Sequence, residues 1–138
     1  MTVRFFVAGR PAPKGSKRAF VRGGRAVLVE SSKQARPWEQ QVHWTARDVV
    51  ENTDGLDLLP CSPMKIAMHF EMPRVQRLRK CIGVVHDRKP DLDKLARNVM
   101  DALTGVLWAD DAQVWSLKAS KAYVDPGYPP GVRIEVEW

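Results

Sequence analysis

At 138 residues and 15.6 kDa, with 44% hydrophobic and 28% charged residues, the chain is sized for one domain spanning residues 1–138 with a core of its own. Cys61 and Cys81 are too few for a disulfide framework and lack zinc spacing, so two free thiols in a reducing compartment are expected. No run approaches the roughly 18 apolar residues of a membrane span, and Met1–Phe6 has no signal-peptide layout, so a soluble protein without a membrane partner is expected. A formal charge of +6 and a pI near 9.6 point instead to a polyanionic partner.

Arg4 to Ala8 reads as a first strand, stopped by the Pro/Gly loop Gly9–Ser16. Ala19–Val21 and Ala26–Val29 flank Arg22-Gly23-Gly24-Arg25, a two-residue hairpin turn presenting a cation on each side. From Pro37 to about Val50, Trp38, Val42, Thr45, Ala46 and Val49 recur at helical spacing, with Ser31 or Ser32 as the cap and Trp38 as core filler. Lys65–Glu71 alternates as a half-buried strand. Leu92 or Asp93 to Leu103 follows as an amphipathic helix whose stripe is Leu92, Leu95, Ala96, Val99, Met100 and Leu103, and Thr104-Gly105 stops it. Val114–Tyr123 and Val132–Trp138 are the last strands, separated by the loop Asp125–Gly131. This order predicts an α+β domain, a small mixed sheet of about four to six strands packed with two main helices, with the strand order left open.

Charge is unevenly placed. No acidic residue precedes Glu30, yet Arg4, Arg10, Lys14, Lys17, Arg18, Arg22 and Arg25 do. A second basic run, Arg74 to Lys89, leads straight into Pro90-Asp91-Leu92-Asp93. Asp110-Asp111 answers that acidic pair just beyond the helix. A helix of this length spans about 16 Å, and the steps from Gly105 to Asp111 reach about 20 Å when extended, so Asp110 or Asp111 can fold back beside Asp91 and Asp93. Clustered carboxylates are costly without a cation, and Mg²⁺ prefers such hard oxygens. Each acid also has a plain structural reading: Asp91 or Asp93 as a helix cap, Asp110-Asp111 as a turn. Arg97 shares a helix face with Asp93 and Asp101, either as an ion-pair ladder or as a cation facing a phosphate and anchored by Asp101. His43, His69 and His86 suggest no zinc site.

Lys89-Pro90-Asp91-Leu92-Asp93-Lys94-Leu95, followed by Asp101-Ala102-Leu103-Thr104-Gly105-Val106-Leu107-Trp108-Ala109-Asp110-Asp111-Ala112-Gln113-Val114, closely resembles the core signature of the RusA family of Holliday junction resolvases, found in bacteria and their phages. The likeness extends more loosely to the basic opening, to Lys121 and to the Pro-Gly-Val start of the last strand. It implies a homodimeric, Mg²⁺-dependent endodeoxyribonuclease, with Mn²⁺ as a substitute and no organic cofactor. Its partner would be four-way or branched DNA, cut in a bacterial or phage-infected cytoplasm during recombination and repair. The family's acidic residues fall on Asp91, Asp93 and Asp111, with Asp110 adjacent, as the metal ligands. Its functional lysine falls on Arg97, which stays protonated and so can stabilise or position a phosphate but cannot act as a titrating acid or base. The metal-activated water would leave 5′-phosphate and 3′-hydroxyl ends. Lys14, Lys17, Arg18, Arg22, Arg25, Arg77, Arg79, Lys94 and Lys121 would contact DNA.

Three other readings compete: a module that binds branched DNA without cutting it, a less selective flap or fork nuclease, and a nucleotide-sugar transferase using Asp-X-Asp. The last is disfavoured by the short chain and the unexplained basic opening. Trp108 and Trp115 either pack beneath the second acidic pair or stack on a base at the crossover, with packing favoured. Phe5, Phe6 and Phe20 are expected to be buried in strands.

Overall fold

The computed structural model describes residues 1–15, 17–30, 33–57, 61–78 and 80–138, and leaves undescribed the side chains of Lys17, Arg18 and residues 28–30. Its elements run β1 (Thr2–Ala8), β2 (Lys17–Arg22), β3 (Arg25–Glu30), α1 (Ala35–Glu51), β4 (Met64–Met72), α2 (Leu92–Leu103), β5 (Val114–Tyr123) and β6 (Gly131–Glu137). The fold is α+β, as the alternation of periods two and 3.6 predicts.

The sequence pattern left the strand order open, and pairing settles it. Four strands form a sheet in the order β1-β6-β4-β5, antiparallel except for the parallel pair β4 and β5. Parallel neighbours need a crossover, and α2 supplies it, so α2 must run antiparallel to β5 across one sheet face. Strands β2 and β3 form a separate hairpin, with Gly23 at φ 59° and Gly24 at φ 77°, as a two-residue turn of that hand requires.

The core lies between the helices and one face of the sheet. Val42, Phe70, Leu95, Val99, Leu103 and Trp108 are all fully buried in it, joined by Val7, Val132 and Val136 from β1 and β6. Residue 131 has to be glycine, because a Cβ there would sit 2.1 Å from the Val7 carbonyl oxygen on β1. The opposite face of the sheet is uncovered. It carries the pairs Arg4–Glu135 and Lys65–Glu137, and the His69 Nδ1 contact with Ser120 Oγ at 2.7 Å.

Local chemistry departs from the expected pattern at a few places. Helix α1 starts at a Gln34 cap with no side-chain hydrogen bond, and Ser31 and Ser32 lie outside the described residues. Asn98 sits within the apolar stripe of α2 and is fully buried. Its Nδ2 donates to the carbonyls of Ala12 and Ala35, each at 3.0 Å, which ties the opening loop and the start of α1 to α2. Phe20 is 44% exposed rather than buried, because the hairpin stands apart from the main core. Cys61 and Cys81 are free and exposed. Among the described residues, no helix is long and apolar enough to cross a membrane.

Candidate active site

Asp91 is the N-cap residue of α2, with extended backbone angles, yet its carboxylate makes no capping hydrogen bond. The plain structural role for this side chain is therefore unfilled. Among the described residues its ion-pair partner is Lys94, with Nζ at 3.5 Å, and both side chains are nearly half exposed. Asp93 lies exposed in the first helical turn, where the positive end of the helix dipole favours a carboxylate.

The loop leading into Asp91 is held from β5. Lys121 Nζ donates to the carbonyl oxygens of Arg88 at 2.5 Å and Pro90 at 2.6 Å. The backbone helps as well, with Tyr123 N–H donating to Val84 O at 2.9 Å beside the Val85–Ala122 bridge. His86 is buried in this corner with its ring against Tyr123, centroids 4.7 Å apart. Burial first, and then the Lys121 charge, holds the His86 pKa below its ordinary 6.5.

The second acidic pair is placed differently. Asp111 Oδ1 accepts hydrogen bonds from Thr104 Oγ1 at 2.6 Å and Trp108 Nε1 at 2.9 Å. Asp110 caps a 3₁₀ turn over Asp111–Gln113, accepting from Ala112 N–H at 2.8 Å, while Gln113 Oε1 accepts from Asp110 N–H at 3.0 Å. The turn reading of Asp110 is thus realised. Trp108, fully buried, packs as core filler, whereas Trp115 is 65% exposed with the Lys65 ammonium 5.3 Å from its ring centre.

These contacts place the two pairs at opposite ends of α2. Thr104, which holds Asp111, is the C-cap of the 12-residue helix whose N-cap is Asp91. That helix is about 18 Å long. Strand β5 gives an independent measure: it begins just after Asp111, and Lys121, which touches Pro90, lies about 23 Å further along it. The anticipated return of Asp110 or Asp111 to Asp91 and Asp93 within one chain therefore does not occur. The chain does fold back sharply at Gly105, φ 81°, but it docks on the near end of the helix through Trp108 and Asp111. Among the described residues, no group of three Asp, Glu, His or Cys is placed to hold a metal. Asp91 and Asp93 still suit Mg²⁺, which commonly takes one or two carboxylates and completes its shell with water and phosphate.

The basic residues separate into exposed and engaged sets. Arg97 is exposed and makes no hydrogen bond or ion pair with any described residue. Asp101 does not anchor it, because Asp101 pairs with Lys14 at 3.1 Å, as does Glu39 at 3.1 Å. Burial alone would lower the Lys14 pKa, but hydrogen bonds to Asp101 and Glu39 outweigh it and hold the value above the ordinary 10.5. Lys14 thus fastens the opening loop to both helices, and its N–H donates to the Lys94 carbonyl at 3.0 Å. Arg22 and Arg25 are exposed directly opposite each other beside the hairpin turn, and Arg77 is exposed on a 3₁₀ turn over Gln76–Leu78. The side chains of Lys17 and Arg18, and the whole of Arg79, lie outside the described residues.

Sequence reasoning passed over two aromatics that are exposed among the described residues, Trp44 and Tyr128. Trp44 on α1 is 63% exposed, with the Arg47 guanidinium 5.6 Å from its ring centre. Its helix position lies off the buried stripe of Trp38, Val42 and Ala46, which is the signal that marks it.

A family model described as Endodeoxyribonuclease RusA matches residues 8–137. The chain is also similar to an uncharacterized protein, YqaN, of Bacillus subtilis (strain 168), 27% identical over 127 residues that cover 88% of this chain and 87% of the relative.

Proposed function

From the premise that this chain belongs to the RusA endodeoxyribonuclease family, whose members resolve Holliday junctions, we propose that it is a Mg²⁺-dependent, structure-selective nuclease working as a homodimer on four-way DNA in recombination and repair. The observation that carries this reading is the pair at the start of α2: Asp91, whose carboxylate makes no capping bond, and the exposed Asp93, neither of them drawn into the scaffold by a side-chain hydrogen bond among the described residues. A basic surface with Arg22, Arg25 and Arg77 exposed supports a phosphate-backbone partner. Bound Mg²⁺ would supply Lewis-acid stabilisation of the phosphate and an acidified water.

The chain's own residues then have distinct tasks. Asp91 and Asp93 would hold the Mg²⁺ through their hard carboxylate oxygens, offsetting their own repulsion of the scissile phosphate. Arg97, exposed and always protonated, offsets charge on the attacked phosphate, and Lys94 sits beside Asp91 to do the same on the neighbouring helix face. Asp111 lies a helix length away, so it joins this set from a second protomer. A two-fold axis that sets the N-terminal end of one α2 against the C-terminal end of the other would form two equivalent mixed sites, one per strand. Hydrolysis at both would leave 5′-phosphate and 3′-hydroxyl ends.

Asp91→Asn tests the chemistry: junction binding should persist while Mg²⁺-dependent cutting is lost, and undiminished cutting would remove Asp91 from the reaction. Mixing Asp91→Asn protomers with Asp111→Asn protomers tests the shared site. If Asp111 acts across the dimer, each mixed dimer holds one intact site and nicks a single strand. If it acts within its own chain, the mixture stays inactive.

A further inference from the structure

We propose that Lys121 is the positioning residue of the Asp91–Asp93 turn, holding it in its working shape before metal or DNA arrives, and that it is not a phosphate contact. The inference rests on the nuclease reading above for its catalytic consequence, but its structural content stands on hydrogen bonds alone.

In register with the fully buried Phe70, Lys121 projects from the helix-bearing face of β5. Lys121 itself is only half-buried, so its acceptors hold the ammonium in place rather than offsetting full burial. Among the described residues it pairs with no carboxylate. Its described partners are two backbone carbonyls, Arg88 O at 2.5 Å and Pro90 O at 2.6 Å. These hydrogen bonds are charge-assisted and so stronger than neutral ones.

The second of these bonds has a specific effect on Asp91. The carbonyl of Pro90 belongs to the peptide plane that ends in the Asp91 nitrogen, and a planar peptide turns as a unit. With its oxygen drawn toward Lys121, the Asp91 N–H points away from β5. The carboxylate then departs from a fixed backbone, with φ −66° and ψ 137°, at the first residue of the helix entry. Nothing else described holds Asp91 this way, since its own side chain makes no cap bond. Lys121 takes the place of a capping interaction while leaving the carboxylate to solvent and Lys94. Its backbone contributes too: its carbonyl accepts from His86 N–H at 3.5 Å, so the strand grips both the start and the end of the 86–90 segment.

The test compares Lys121→Met and Lys121→Arg with wild type in the full-length protein. Three readouts are needed: amide hydrogen exchange over residues 87–93 without metal, junction affinity and its salt dependence in chelator, and the Mg²⁺ concentration for half-maximal cutting. Loss of the clamp in Lys121→Met should speed exchange in this segment by roughly tenfold or more, and raise the Mg²⁺ requirement by about 10- to 100-fold. Junction affinity and salt slope should stay at wild-type values, and Lys121→Arg should recover part of both losses. Unchanged exchange together with weaker, less salt-sensitive junction binding would overturn the proposal and make Lys121 a phosphate contact. Should Lys121→Met fail to fold, Lys121→Ala, which also removes the donor, is read in the same way. Wild-type protein that cuts no branched DNA would sink the nuclease reading, while faster exchange in Lys121→Met would still uphold the clamp.

Discussion

The two ends of α2 carry the same residue type in opposite states. At the N-terminal end Asp91 and Asp93 are held by their backbone, and their carboxylates are left to solvent and Lys94. At the C-terminal end Asp110 and Asp111 are held by their carboxylates, which cap a turn and accept from Thr104 and Trp108. An acid that accepts no hydrogen bond from its own scaffold adds little to stability and keeps its oxygens for a ligand. An acid that satisfies a buried indole serves the fold first, and only what capacity remains can serve chemistry.

The sharpest way to break this contrast is alanine at each end. Asp91→Ala should lose cutting by at least the roughly 100-fold seen for groups one layer further from a metal, while unfolding free energy changes by under about 0.5 kcal/mol, the range of surface substitutions. Asp111→Ala should also stop cutting, but with a loss of about 2–4 kcal/mol, because two hydrogen bonds to a charged acceptor vanish and the buried Trp108 N–H is left unpaired. Denaturant titration beside a cleavage assay checks both, and equal stability losses would erase the distinction.

A second comparison sets exposed cations against engaged ones. Arg22→Ala with Arg25→Ala should weaken junction binding at every sequence and make the slope of log affinity against log salt shallower by about 2, one per lost phosphate contact. Lys14→Met should leave that slope unchanged and instead lower stability, since Lys14 joins Glu39 and Asp101 rather than facing outward. Binding measured over a salt series decides.

Smaller effects sharpen the picture. Asp110→Ala removes one half of a capping box and should cost about 1 kcal/mol, with cutting retained by the folded fraction. The depressed His86 pKa sets a pH dependence beside the N-terminal end. Above 6.5 the ring is neutral in both folded and unfolded chains and contributes nothing. As pH falls below 6.5 the unfolded chain takes up the proton first, so stability declines until the folded pKa is reached. Replacing His86 with Phe should flatten that acid limb in thermal melts below pH 6.5.

Much of the fold was legible because it depends on local repetition. The alternation along Met64–Met72 and Gly131–Glu137, the stripe of α2 and the Gly23-Gly24 turn each carry their structure in neighbouring residues. The candidate site was legible in identity but not in arrangement. Asp91, Asp93 and Asp111 stand out as residues, yet spacing alone allowed Asp111 to return to the start of α2. It remains at the end instead, because Trp108 is buried there and its N–H needs an acceptor. Asn98 was passed over through the same blindness, its partners Ala12 and Ala35 lying far away in the chain.

The sequence by itself determined the elements, the basic surface and which carboxylates could matter, since propensity, periodicity and charge are properties of short segments. Tertiary structure alone decided that β4 and β5 are parallel neighbours, that α2 therefore separates the acidic pairs, and that Lys14 and Lys121 turn inward to hold loops. The reason is physical: a half-buried cation or a buried indole is satisfied by whichever partner the packed chain brings within hydrogen-bond reach, and that choice exists only once distant segments meet.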